Sequence, residues 1–172
     1  AQALTVSGAI AACILGTCAA LAGPEWAALL VLYFVLSSAL SHLGRARKLE
    51  RLRGIVEKAG ARDARQVAAN GAVFGIAAIG ALIDPTHLVR WQCAAIGALA
   101  ASASDTIATE IGTWLGGTPR SVRTWTPVPT GTSGAVSLAG VVGMVAGALA
   151  VAALGVVLLR PDAPTTAVLG WL

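Results

Sequence analysis

The stretch Ser102-Ala-Ser-Asp-Thr-Ile-Ala-Thr-Glu-Ile-Gly-Thr113 places two carboxylates, Asp105 and Glu110, inside a long apolar segment. A carboxylate at membrane depth is costly, so it usually faces protein or water and usually has a function. Asp105 shares a narrow helical stripe with Thr109 and Gly112, whereas Glu110 lies well round the same helix. We expect the two acids to border one cavity near the end of this helix.

The composition of the 172-residue chain indicates the solvent in which it folds. Hydrophobic residues make up 56% and charged residues 12%, with a mean hydropathy of +0.78. A soluble domain carries about 25% charged residues. The apolar residues are mostly Ala, Leu, Val and Ile with many Gly, which suits helices that pack closely in lipid. A β-barrel would show short alternating segments instead.

We therefore predict an all-α fold, an integral membrane bundle of about five transmembrane helices with a basic cytoplasmic loop, in one domain that covers residues 1–172. The apolar runs and their Gly and Pro boundaries place the helices at about 4–22, 25–42, 64–83, 88–114 and 135–159. The N-terminus lacks the basic start and cleavage pattern of a signal peptide, so we expect the first helix to be kept.

Eight of the twelve Lys and Arg residues lie between Gly44 and Gln66. Basic loops stay on the cytoplasmic side, so we expect this loop, the N-terminus and residues 113–134 to face the cytoplasm of a bacterial inner membrane. The loop is either partly an amphipathic surface helix or a solvated linker held by anionic lipid. Because the net charge of +4 comes mostly from this loop, we expect no nucleic-acid partner.

The segment between the fourth and fifth helices carries groups that suit phosphate. Arg120 and Arg123 supply guanidinium groups, each of which can bind two phosphate oxygens at once. We expect Gly131-Thr-Ser-Gly134 to open the fifth helix, where backbone N–H groups favour an anion. The alternative is an ordinary helix start with Thr132 or Ser133 as the N-cap. The motif is not a Walker A loop, because it lacks Gly-Lys-Ser/Thr.

Other polar residues leave alternatives open. Asp105 and Glu110 suit Mg²⁺, which favours oxygen ligands and shares its shell with phosphates; the alternative is that they pair with basic-loop residues to hold the bundle. Asn70 could hold a metal-bound water, a phosphate or a neighbouring helix. Trp125 could stack on a base or cover the site, but we expect a packing role.

Four blocks resemble a known membrane family. They are Gln66-Val-Ala-Ala-Asn-Gly71, Ala103-Ser-Asp-Thr-Ile-Ala-Thr-Glu-Ile-Gly112, Pro119-Arg120 and Gly131-Thr-Ser-Gly134. The chain is similar in these blocks to the family that includes transmembrane protein 19 and plant phytyl-phosphate kinase. The resemblance covers nearly the whole chain, and the order and spacing of the blocks add to its specificity.

The resemblance implies a kinase that transfers a γ-phosphate from CTP or another nucleoside triphosphate to an isoprenoid monophosphate, phytyl or polyprenyl. It implies Mg²⁺ as the cofactor, held by Asp105 and Glu110. The polar residues of the family map onto Asn70, Asp105, Glu110, Arg120, Thr132 and Ser133. We expect phosphate and nucleotide to be bound by Lys48, Arg65, Arg120, Gly131, Thr132, Ser133 and Gly134.

One departure from the family concerns the C-terminal side. We expect family members to continue into another membrane segment with Asp-Ser followed by Leu-Gly-Ala, whereas this sequence stops at Leu172. That segment is dispensable here, or a second copy in a homo-oligomer replaces it, or the chain is shortened. The expected partners are the isoprenoid phosphate lipid, the nucleotide and membrane lipids. Two rival functions are a small ion or solute transporter and a non-catalytic structural membrane subunit.

Overall fold

Five α-helices make up most of the described part of the chain, residues 4–42 and 61–161 of this computed structural model. They are α1 Val6–Ala22, α2 Pro24–His42, α3 Ala64–Ile83, α4 Leu88–Leu115 and α5 Leu138–Leu159. The predicted all-α membrane bundle is confirmed.

The segment between α4 and α5 is not a plain loop. Strand β1 (Arg120–Ser121) pairs antiparallel with strand β2 (Ala135–Val136), and Arg120 lies opposite Val136. We call residues 118–136 the hairpin. Because Ala135 and Val136 belong to β2, α5 begins at Leu138 rather than at the predicted position 135.

Short-range hydrogen bonds fix where the helices begin. Thr5 caps α1, since its hydroxyl accepts from the Gly8 N–H at 3.1 Å. Asp63 and Gln66 form a reciprocal capping box at the start of α3. Gln66 therefore acts as part of the cap of α3.

Three of the described helices, α2, α3 and α5, are long and apolar enough to cross a membrane by length and composition. The sequence predicted about five such spans. Apolar α1 has 17 residues, about the shortest length that spans. The 28 residues of α4 extend about 42 Å, which is long enough, but polar residues interrupt them. The large apolar side chains on the outer faces, such as Ile76 and Leu149, are well exposed, as expected where lipid is the solvent.

Glycines let α5 lie close against α4. A Cβ added at Gly147 would come within 2.5 Å of the Ile107 side chain, and one at Gly155 within 2.7 Å of Ile96. We call this contact, which also includes Gly140 and Gly143 of α5, the glycine seam. Such close approach provides the van der Waals packing on which helix association in lipid depends.

The topology places five helix ends together. The Thr5 N–H donates to the Arg62 carbonyl at 3.0 Å, so α1 begins beside the start of α3. Gly112 near the end of α4 packs on Gly140 near the start of α5. We call this end of the bundle, which also contains the end of α2, the polar end. The turn at Asp84, with a 3-10 helix at Pro85–His87, lies at the opposite end.

Candidate functional site

Glu110 is held at the polar end by a contact between three elements. The Ser41 hydroxyl of α2 donates to the Glu110 carboxylate of α4 at 2.8 Å. The guanidinium of Arg62, just before α3, donates to the same hydroxyl oxygen at 3.4 Å. We call these three residues the Glu110 cluster. In this cluster the Ser41 hydroxyl is hydrogen-bonded to both an acid and a cation, at the end of an otherwise apolar bundle.

The register between α2 and α4 explains why these groups meet. Tyr33 and Ser102 share a hydrogen bond of 2.6 Å, and both this pair and the Ser41–Glu110 pair are separated by 69 residues. The two helices thus run parallel with polar residues at matching four-residue intervals. Ser37, only 2% exposed, lies between the two bonds on α2. We call this line of contacts between α2 and α4 the polar seam.

Asp105 does not join the Glu110 cluster. It is exposed, and its backbone carbonyl accepts from the Thr109 hydroxyl at 2.9 Å. Glu110 follows Asp105 by five positions. This spacing puts the two residues about 140° apart round the helix and about 7.5 Å apart along its axis. The two acids therefore lie on different faces of α4, with α2 packed against Glu110 and Asp105 outside that contact.

Arg120 is engaged within the hairpin. Its guanidinium donates to the Trp125 carbonyl at 2.8 Å, and the side chain is exposed. No described carboxylate pairs with it, so the structure places Arg120 at the same end as Glu110 without joining the two directly. The neighbouring Arg123 is also exposed.

The Gly131-to-Gly134 segment does not open α5, contrary to the sequence-based expectation. Gly131 and Gly134 adopt φ angles of 90° and 72°, which make the segment a turn within the hairpin. The Thr132 hydroxyl donates to the Pro129 carbonyl at 2.8 Å, and Ser133 is exposed. The N-cap of α5 is Ser137, whose hydroxyl accepts from a backbone N–H within α5. The helix dipole therefore does not act at this turn.

A protein-family model described as "Integral membrane protein DUF92" matches residues 1–172. The chain belongs to this family. The "Uncharacterized membrane protein sll0875" of Synechocystis is 33% identical to the chain over 139 residues, which cover 76% of this chain and 53% of the relative. "Protein PGR" of Arabidopsis thaliana is 31% identical over 161 residues, which cover 84% of this chain and 54% of the relative. The chain spans about half the length of these curated relatives. No solved structure matches it.

The remaining predicted site residues of this DUF92 chain are less tightly placed. Asn70 is half-buried on α3, on the face that buries Phe74 one turn later, and its amide makes no hydrogen bond within the described residues. Arg65 is exposed on the first turn of α3. Lys48 lies outside the described residues.

Magnesium fits one part of the donor set. The described ranges 4–42 and 61–161 contain no group of three or more His, Cys, Asp or Glu residues that could hold a metal. Mg²⁺ is usually held by one or two carboxylates together with water and substrate phosphates, so a full protein cage is not required. The Glu110 carboxylate can serve in this way. Asp105 lies on another face of α4, about 140° round the helix from Glu110, and does not share its contact with Ser41.

The sequence reasoning missed two members of the Glu110 cluster. In the sequence Arg62 is one of eight basic residues between Gly44 and Gln66, and Ser41 is one hydroxyl near the end of an apolar segment. The signal was the four-residue spacing of Tyr33, Ser37 and Ser41 on α2, which matches the spacing of polar residues on α4. Hydroxyls repeated on one face of an apolar helix indicate a polar partner helix.

Proposed function

We propose that this chain forms the phosphoryl-transfer part of a membrane kinase that moves the γ-phosphate of a nucleoside triphosphate to an isoprenoid monophosphate. CTP is a candidate donor, and phytyl or polyprenyl phosphate is the candidate acceptor class. The observation that carries the proposal is the Glu110 cluster, in which an acid, a hydroxyl and a guanidinium meet at the end of an apolar bundle.

Charge at the polar end supports a phosphate ligand. Arg62 presents its guanidinium beside Glu110, and Arg120 and Arg123 are exposed on the hairpin at the same end. Guanidinium groups bind phosphate oxygens in bidentate fashion.

The position of the Glu110 cluster at helix ends suits a lipid acceptor. A lipid-linked phosphate lies at the membrane surface, and its isoprenoid tail would run along the apolar outer faces of the helices. The nucleotide would arrive from water at the polar end. Under this proposal the polar end faces the cytoplasm of a bacterial inner membrane, which follows the distribution of Lys and Arg.

The reaction requires no protein nucleophile. An oxygen of the acceptor phosphate forms a bond to the γ-phosphorus, while the bond from that phosphorus to the β,γ-bridging oxygen breaks. The products are the isoprenoid diphosphate and the nucleoside diphosphate, which retains the bridging oxygen. Catalysis is therefore mainly positioning and stabilisation of charge.

Each residue has a proposed task in this transfer. Glu110 would hold Mg²⁺ together with the nucleotide phosphates, and Mg²⁺, when bound, neutralises charge on those phosphates. Arg62 would bind the transferring phosphate, and Ser41 would orient Glu110. A ligand that extends round α4 would reach Asp105.

Further residues would contact phosphate from the neighbouring elements. Those proposed are Lys48, Arg65, Asn70, Arg120, Gly131, Thr132, Ser133 and Gly134. The exposed turn at Gly131 to Gly134 would do so through the Thr132 and Ser133 hydroxyls and the backbone of its two glycines rather than through a helix terminus.

The test is an assay of the purified chain in lipid nanodiscs with γ-labelled CTP or ATP and farnesyl or phytyl phosphate. We expect labelled diphosphate in the presence of Mg²⁺ and none after chelation. Farnesol is the control acceptor, because it carries the same tail without the phosphate. If no diphosphate forms with several donors and acceptors while a full-length DUF92 relative is active in parallel, the proposal is wrong for this chain.

A further inference from the structure

Trp125, at the tip of the hairpin, is held in an unusual backbone conformation. Its φ angle is 58°, in the left-handed region, and its side chain is 64% exposed. Bulky residues rarely adopt this conformation, and such residues cluster at functional sites. The packing role expected from the sequence is wrong, because most of the indole contacts no other part of the described chain.

Hydrogen bonds on both sides of Trp125 enforce this conformation. Its N–H donates to the Ser121 carbonyl at 2.8 Å, and its carbonyl accepts from the Arg120 guanidinium at 2.8 Å. The Ser121 N–H donates to the Thr126 carbonyl at 3.0 Å. The turn from Ser121 to Thr126 is therefore closed by main-chain bonds and buttressed by Arg120. An ordered turn displays the indole outward.

The rest of the hairpin extends this ordered support. The Val122 N–H donates to the Gly134 carbonyl at 3.0 Å on one side of β1. The Val128 N–H donates to the Pro119 carbonyl at 2.9 Å on its other side. The residues that flank β1 are thus hydrogen-bonded to the chain on both sides. The hairpin can therefore present Trp125 in a defined position.

The surroundings of Trp125 are polar and cationic. Arg120 and Arg123 flank it, and the nearby Thr124 and Thr126 hydroxyls bond to each other at 2.7 Å. Between Gly116 and Ser137 its one large exposed hydrophobic neighbour is Val122. A segment that inserts into lipid would carry more apolar side chains. An aromatic face beside guanidinium groups is instead the combination that binds nucleotides.

The hairpin is rooted at the polar end, on the face of α4 that packs against α5. Strand β2 leads directly into Ser137, whose hydroxyl lies 3.1 Å from where a Cβ on Gly112 would be. Gly112 follows Glu110 by two residues on α4. A ligand whose flat end rests on the hairpin can therefore direct its phosphates toward the polar end.

We propose that the indole of Trp125 is the platform on which the base of the donor nucleotide stacks, with Arg123 beside it. This inference rests on the proposed function and specifies how the donor is recognised. Stacking is tolerant of base identity because every base has a π-face. We therefore expect CTP, ATP and GTP to bind with similar affinity.

The test compares Trp125→Asn and Trp125→Phe in the full chain in nanodiscs, with binding of labelled CTP and ATP measured at equilibrium. Asn accepts the left-handed backbone better than Trp does, so its folding is favoured while the ring is lost. We expect Trp125→Asn to weaken binding by about 5- to 150-fold and Trp125→Phe to preserve most of it. Trp114→Phe is the control and should bind as the wild type does.

The outcomes separate this inference from the proposed function. If Trp125→Asn binds nucleotide as tightly as the wild type, the stacking inference is overturned and the proposed function stands. If the wild type binds no nucleotide, the proposed function fails, and this inference fails with it. If brominated lipid quenches a fluorescence component that is lost in Trp125→Phe, and nucleotide leaves that component unchanged, the hairpin lies in the membrane and the inference is overturned.

Discussion

Helix α4 packs against its two neighbours in two different ways. Toward α5 it meets glycines, and Ile107 and Ile111 fill the space that a Cβ at Gly147 or Gly143 would need. Toward α2 it meets hydroxyls, and the contact ends at Glu110. One face of the helix thus forms the apolar glycine seam and another forms the polar seam.

The two seams therefore have different roles, one in stability and the other in chemistry. In lipid no hydrophobic force drives helices together, so close packing and hydrogen bonds must do it. The glycine seam provides close packing but contains no group that could bind a ligand. The polar seam provides hydrogen bonds and also fixes an acid beside Arg62. Mutations in the two seams should therefore have separable effects.

The largest effect on stability is expected in the glycine seam. Gly147→Leu would push a side chain into Ile107, and overpacking of this kind costs about 1–3 kcal/mol of the free energy of unfolding. Unfolding in mixed detergent micelles measures this cost. Gly97→Leu is the matched control, because a Cβ at Gly97 meets nothing within 4 Å. An equal loss in both variants would contradict the claim that the glycine seam holds the bundle.

A smaller effect on stability, with a specific effect on transfer, is expected in the polar seam. Ser41→Ala removes the donor to Glu110 and should lower the rate of phosphoryl transfer by about tenfold or more. Tyr33→Phe is the control within the same seam, since it breaks only the bond to Ser102. Each variant should lose about 0.5–2 kcal/mol of stability. If Tyr33→Phe lowers transfer as much as Ser41→Ala, the orienting role of Ser41 is wrong.

The helices were predictable because their signals are local. Apolar runs, Pro24 and the Gly23 boundary mark the first two helices, and the Asp84-Pro85 pair marks the end of α3. The start of α5 was misplaced because the sequence does not reveal that Ala135 and Val136 pair with β1. That pairing is a contact across the thirteen residues 122–134, a Gly-, Pro- and Thr-rich segment.

The candidate site was only partly predictable. Glu110 was identified from its cost in an apolar helix, but its partners depend on the register between α2 and α4, which is a tertiary property. Asp105 was grouped with it through closeness in sequence, although the helical period separates them. The exposure of Trp125 likewise depends on how the hairpin folds.

The smallest effect is expected at the Asp84 turn, at the end of the bundle opposite the Glu110 cluster; we call this the turn end. Hydrogen bonds from Thr86, and then from His87, lower the pKa of Asp84, and its charge interaction with His87 acts in the same direction. The folded state thus favours the carboxylate, so its contribution to stability is complete above the ordinary value of 3.8 and is lost as pH falls through the lowered pKa. Asp84→Asn should reduce the loss of thermal stability that accompanies a fall in pH below 3.8. An unchanged pH profile would show that the Asp84 carboxylate does not contribute to stability.

The central claim is that the Glu110 cluster binds the reacting phosphates. Its most direct test is the rate of transfer from γ-labelled nucleotide to farnesyl phosphate in Glu110→Gln, with Glu25→Gln at the turn end as the matched control. We predict that Glu110→Gln lowers the rate by about 100-fold or more while its unfolding curve matches that of the wild type, and that Glu25→Gln changes neither. A Glu110→Gln variant with the transfer rate of the wild type would contradict the account.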